Sequence, residues 1–239
     1  MRNSFKVMVF VVSLVCLLAC SSCSGLKLTP EMEESIDMYT DAVSSAEKAK
    51  GGRISVVSVI DDDAIEFKTT ETTIDFEYSV EGDKVIFERF DTLNGEKTAK
   101  YKCDGNKIEV YDFDKEKWSD TTDQNKEYLD VKKNPLTSLT LFRVDSNKKV
   151  DTNLLTDIKR FTEDEYTVIE FTLKDESVSS VMSYTKADGI VRESAGHTRS
   201  YYLDEKGELV KINIEAVQDI ITNGTSNKYT TKMTVLIKR

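Results

Sequence analysis

Apolar residues along the chain change their period twice, and each period predicts a different element. From Val7 to Ala19 they are nearly continuous, thirteen residues preceded by Arg2 and Lys6. As a helix that run spans about 20 Å against a hydrocarbon core of roughly 30 Å, so it suits the apolar region of an export signal better than a membrane span. Met32, Ile36, Tyr39, Val43 and Ala46 then recur at helical spacing and fall on one face. Thr29 and Pro30 supply a cap and a tolerated first turn, Glu31, Glu33 and Glu34 suit the positive end, and Gly51-Gly52 marks a stop. The expectation is an amphipathic helix of about twenty residues whose stripe needs a partner.

From Arg53 the period becomes two. Ile74, Phe76, Tyr78 and Val80 alternate with Asp75, Glu77 and Ser79, Ile169, Phe171 and Leu173 with Glu170 and Thr172, and Val210, Ile212, Ile214 and Ala216 with Lys211, Asn213 and Glu215. Tyr229, Met233, Val235 and Ile237 close the chain in the same way. These read as half-buried strands of an antiparallel sheet with one wet face. Gly82-Asp83, Asn94-Gly95, Asp104-Gly105, Lys206-Gly207 and Asn223-Gly224 mark turns between them, so consecutive strands are expected to pair as a meander. Asn134 to Phe142 and Asp175 to Tyr184 lack clean alternation and read as short helices or crossing loops. The strict alternation also predicts that Ile74, Phe76, Tyr78, Ile169, Phe171, Ile212, Ile214, Met233 and Val235 share one interior, because a one-residue slip would send a strand's whole set to solvent.

Composition narrows the class. Hydrophobic residues make up 39% of the 239-residue chain, and their periodic arrangement excludes general disorder despite 32% charged residues. Two prolines leave no proline-rich linker, so residues 30–239 read as one β-rich domain. Removing Arg2 and Lys6 with the leader takes the formal charge from −10 to −12. That balance, with no basic stripe, argues against nucleic acid and anionic headgroups as partners.

Leu17-Leu18-Ala19-Cys20, at the end of the apolar run, resembles the lipobox of bacterial lipoproteins. The resemblance implies cleavage after residue 19 and a diacylglyceryl group on Cys20, with palmitate-like chains holding the domain outside the membrane. Two acyl chains meet the requirement for stable anchoring. Residues 20–29 then form a lipidated tether. Cys20 and Cys23 match a C-x-x-C pattern, but with Cys16 lost and Cys20 acylated only Cys23 and Cys103 remain as thiols, and Cys103 is expected to be free and buried or on an edge strand.

The stretch from Tyr101 to Tyr111 with Trp118, and the pair Ser200-Tyr-Tyr-Leu-Asp-Glu-Lys-Gly-Glu-Leu-Val-Lys-Ile212, resemble hairpins of the LolA-like and LppX/LprG-like lipoprotein carriers. The resemblance implies a mainly β chain with helices, a curved antiparallel sheet forming a half-barrel against the N-terminal helix. It also implies an apolar cavity that takes acyl chains or lipids, lined by the nine strand residues above. The alternative is a non-catalytic cell-surface protein-interaction module in which the same side chains pack into a solid core.

No catalytic motif stands against these readings. His197 is the sole histidine, which removes multi-histidine metal sites, and beside Gly196 and Arg199 it reads as an ordinary surface or sheet residue. There is no nucleophile elbow, phosphate loop or H-E-x-x-H, so the chain is expected not to be an enzyme and to need no cofactor. Asp61-Asp62-Asp63 reads as an acidic turn. Asp112-Phe-Asp114-Lys-Glu116 lacks the glycine and terminal glutamate of a calcium loop, and Asn223-Gly-Thr225 reads as a hairpin turn rather than a glycosylation site.

Overall fold

The computed structural model describes residues 25–62, 68–129, 150–174, 190–222 and 225–239. The leader with Cys20 and Cys23, the stretches Asn134 to Phe142 and Asp175 to Tyr184, Asp63, and the Asn223-Gly224 turn lie outside the described residues.

Helix α1 (Pro30–Glu47) begins as its sequence dictates. The Thr29 hydroxyl accepts from the Met32 N–H at 3.3 Å, Pro30 needs no donor partner, and Glu31 and Glu33 sit at the positive end. Tyr39, Val43 and Ala46 are buried as the spacing requires, with Ser35 and Ala42 beside them, while Met32 and Ile36 pack at the margin. The expected stop at Gly51-Gly52 is corrected: the helix ends at Glu47, and both glycines open strand β1 (Gly51–Asp62). A Cβ on Gly52 would run into the Lys238 carbonyl oxygen, so the residue serves a close approach of strands rather than a helix cap.

Strands β2 (Lys68–Glu81), β3 (Lys84–Leu93), β4 (Glu96–Asp104), β5 (Ile108–Asp112) and β6 (Lys117–Asp120) follow as a meander. A single helical turn α2 (Thr122–Asn125) and a 3-10 turn over Lys126–Leu129 come next. A second meander holds β7 (Leu155–Glu163), β8 (Tyr166–Leu173), β9 (Ile190–Leu203), β10 (Leu209–Thr222) and β11 (Thr225–Lys238). The turn residues act as their chemistry predicts: Asn94 and Gly95 both take positive φ, as a tight two-residue hairpin requires.

The two meanders join through their outermost members, because β1 pairs antiparallel with β11 from Arg53↔Lys238 to Asp62↔Tyr229. The order is β6-β5-β4-β3-β2-β1-β11-β10-β9-β8-β7, one antiparallel sheet with β6 and β7 as its edges. It does not close. An open sheet with a helix against one face is the half-barrel arrangement expected above, and α1 lies against β7 and β10. The chain enters the core early, since the Leu26 N–H donates to the Thr152 carbonyl at 3.1 Å and Leu26 and Leu28 pack against buried side chains. No helix among the described residues is long and apolar enough to cross a membrane.

Candidate functional site

Register places the nine strand residues singled out by alternation. Val56 stands opposite both Ile74 and Val235, Val235 opposite Ile212, Ile212 opposite Tyr201, and Tyr201 opposite Ile169. Side chains directly opposite share a face, and so do those two apart on one strand. Ile74, Phe76, Tyr78, Ile169, Phe171, Ile212, Ile214, Met233 and Val235 therefore lie on a single face, which is the face that α1 covers in part. Six of them are buried; Ile74, Ile214 and Met233 are only partly so.

This inner face is built differently on the two wings of the sheet. On the C-terminal wing, Tyr39 of α1 sets its ring 5.0 Å from Phe171 and 4.6 Å from Tyr201, both edge-on. Such pairs add about 0.5–1.5 kcal/mol each beyond their area burial. Arg160 on β7 reaches out to Glu34 of α1 at 3.0 Å, tying the helix to the edge strand. On the N-terminal wing, Phe76 stacks on Phe87 at 5.0 Å, and Tyr128 from the 3-10 turn meets Phe87 at 5.9 Å. Arg89 grips both oxygens of Asp91 at 2.7 Å, donates to the Tyr128 hydroxyl at 3.2 Å and lies 5.3 Å over the Tyr101 ring. A void of about 10 Å³ remains among Phe76, Phe87, Tyr101 and Tyr128, room for one water at most.

His197 departs from the sequence reading. It is a sheet residue on β9, but not a surface one: its exposure is 1%, and the neighbouring inner-face Arg199 is 4% exposed. The Arg199 Nε–H donates to His197 Nε2 at 2.8 Å, which leaves the imidazole proton on Nδ1. That Nδ1 is buried without a hydrogen-bond partner. Burial, and secondarily the charge of Arg199, push the imidazole down to about 4, so it is neutral at ordinary pH. Tyr201, fully buried beside them, interacts with Arg199 and Tyr39 and has its hydroxyl pushed well up by desolvation. His197, Arg199 and Tyr201 alternate with Thr198 and Ser200 on β9, and their polar side chains gave no sequence signal that they face inward.

The other candidates resolve into local structure. Cys103 is a free buried thiol that donates to the Val85 carbonyl at 3.2 Å and accepts from the Gly105 N–H at 3.3 Å, and burial raises its pKa. The Asp112 carboxylate accepts from the N–H groups of Asp114 and Lys115 and pairs with the Lys115 ammonium, which makes it a turn organiser. Among the described residues, no three His, Cys, Asp or Glu side chains gather as a metal site would need. A groove of about 670 Å³ opens on the outer face, where Glu77, Glu88, Lys102, Lys107 and Glu109 line it together with Ile86.

The fold is one open antiparallel sheet with a helix on one face. Solved structures similar to this chain include the lipoprotein LppX of Mycobacterium tuberculosis, at 13% identity over 84% of this chain and 93% of that one, with a TM-score of 0.42. A LolA superfamily protein from Nitrosomonas europaea is 8% identical over 84% of this chain and 90% of that one, with a TM-score of 0.23. A DUF1329 family protein from Desulfovibrio piger is 10% identical over 86% and 92%, with a TM-score of 0.27. No protein-family model matches the chain, and no curated protein does.

Proposed function

We propose that the chain is an extracytoplasmic lipoprotein, held to the membrane by a diacylglyceryl group on Cys20, that binds a lipid or other hydrophobic ligand against the inner face of its sheet. The observation that carries this reading is the inner face itself. Apolar and aromatic side chains run across both wings of a sheet that does not close, whereas α1 lies against the C-terminal wing, on β7 and β10 and with Tyr39 on Phe171 and Tyr201. Apolar surface meeting a lipid tail gains about 25 cal/mol per Å², and of the nine residues from Ile74 to Val235 the partly uncovered Ile74, Ile214 and Met233 offer that surface. The protein acts as a binder or carrier and performs no chemistry on its cargo.

Two measurements test it. Intact mass of the protein isolated from membranes should carry a diacylglyceryl adduct on Cys20, and Cys20→Ala should release the protein or leave it unprocessed; an unmodified Cys20 removes the anchor. Solvent extraction of the purified protein followed by mass spectrometry should return a lipid class in near-stoichiometric amount, and repeated recovery of empty protein removes the carrier reading. The protein-interaction reading draws on the outer face, where Lys102 sits 4.2 Å over the Trp118 ring and Lys100 4.8 Å over Phe90, with Phe113 exposed nearby. Empty protein would move attention to that surface.

A further inference from the structure

Among the described residues, most charged groups sit on the outer face or at turns. On the inner face, Arg89 is held by Asp91, and Arg160 reaches past the sheet edge to Glu34. His197 and Arg199 are different: they are among the most buried side chains of β9 and lie next to Phe171, Tyr201 and Ala216. Because Arg199 takes the Nε2 lone pair, the imidazole presents Nδ1–H, a buried donor with no acceptor. Buried donors are matched almost without exception, so a lone one beside a guanidinium is a feature with something to receive.

Its surroundings say what. Register sets Arg199 opposite Ile214, Ile214 opposite Met233, Met233 opposite Ser58, and Val56, two residues before Ser58, opposite Ile74. Ile214, Met233 and Ile74 are among the members of the apolar face that stay partly uncovered. Four strand spacings separate β9 from β2, about 19 Å, which is roughly the length of a long extended acyl chain. A polar pair thus stands at one end of a half-covered apolar strip.

Resting on the lipid-binding reading above, we propose that the cargo is an anionic amphiphile whose carboxylate or phosphate oxygen accepts from His197 Nδ1–H beside the Arg199 guanidinium, with its tail laid along Ile214, Met233 and Ile74. The two headgroups share the same chemistry, an oxyanion matched to a neutral imidazole donor and a cation in a dry setting. The pair binds; it transfers nothing.

The test uses the full-length protein stripped of co-purified lipid. A fluorescent long-chain fatty acid, its methyl ester and a monoalkyl phosphate of equal length are titrated in turn. The acid or the phosphate should bind about tenfold tighter than the ester, since charge-assisted hydrogen bonds favour the anion, and the tighter of the two identifies the source. His197→Phe and Arg199→Met should erase that preference while ester binding persists. His197→Asn, whose amide nitrogen stands near the Nδ1 position, should retain it, and it keeps the test informative where the larger change impairs folding. Equal affinity for acid, phosphate and ester in the wild type overturns the headgroup assignment and leaves the carrier reading standing. Failure to bind any of the three overturns the carrier reading and this proposal with it.

Discussion

The two wings of the sheet solve the same packing problem by different means. The C-terminal wing is covered by a long capped helix, and its centre is a three-ring cluster of Tyr39, Phe171 and Tyr201. The N-terminal wing answers its own aromatic pair, Phe76 and Phe87, with Tyr128 from a 3-10 turn and with an arginine clamped between Asp91 and two tyrosines. Both wings have the same alternating strands and antiparallel ladders. What differs is the element laid on top, and the difference teaches that an alternating face states a need for cover without stating what the cover is.

The comparison can be broken first at its most tightly packed point. Phe171→Ala removes a ring that is 0% exposed and touches Tyr39 and Tyr201, so it should cost about 3–5 kcal/mol in chemical denaturation. Ile74→Ala on the opposite wing, at a side chain only partly covered, should cost distinctly less in lipid-free protein while weakening lipid binding more. Equal losses on both wings, with binding unchanged, would make the whole face a solid core.

Next comes pH. Burial depresses the folded pKa of His197 to about 4 from the ordinary 6.5. The unfolded chain therefore takes up a proton that the folded chain refuses, and stability falls as pH drops from about 6.5 through 4. A shift of this size corresponds to roughly 3 kcal/mol once both states are protonated. Melting curves of wild type and His197→Asn across that window should converge as pH falls. Parallel curves would mean that the imidazole is not buried in solution.

A smaller effect should come from the N-terminal wing's ion pair. Arg89→Met leaves Asp91, 15% exposed, without its bidentate partner, and should cost about 2 kcal/mol. The replacement of both residues by apolar ones should recover most of that loss, which a double-mutant cycle reads directly. Smallest of all, Thr29→Ala deletes the cap on α1 and should cost about 1 kcal/mol. Hydrogen exchange should then rise in the first turn of the helix without reaching Tyr39.

What the sequence by itself determined is local or periodic. The start of α1 followed from Thr29-Pro30, because capping is satisfied within one turn of chain. The shared face of the nine strand residues followed from their period, because the alternation of side chains is a property of extended backbone. Gly51-Gly52 misled because a glycine is equally suited to ending a helix and to letting two strands pass closely, and only the arrival of Lys238 across the sheet decides between them. The pairing of β1 with β11, which fuses two meanders into one open sheet, joins residues at opposite ends of the domain and leaves no local trace. His197 and Arg199 were hidden for the same reason. Alternation tells which residues share a face, but a polar pair on a strand is read as the wet side until the tertiary structure shows a helix, an aromatic cluster and two neighbouring strands closing over it.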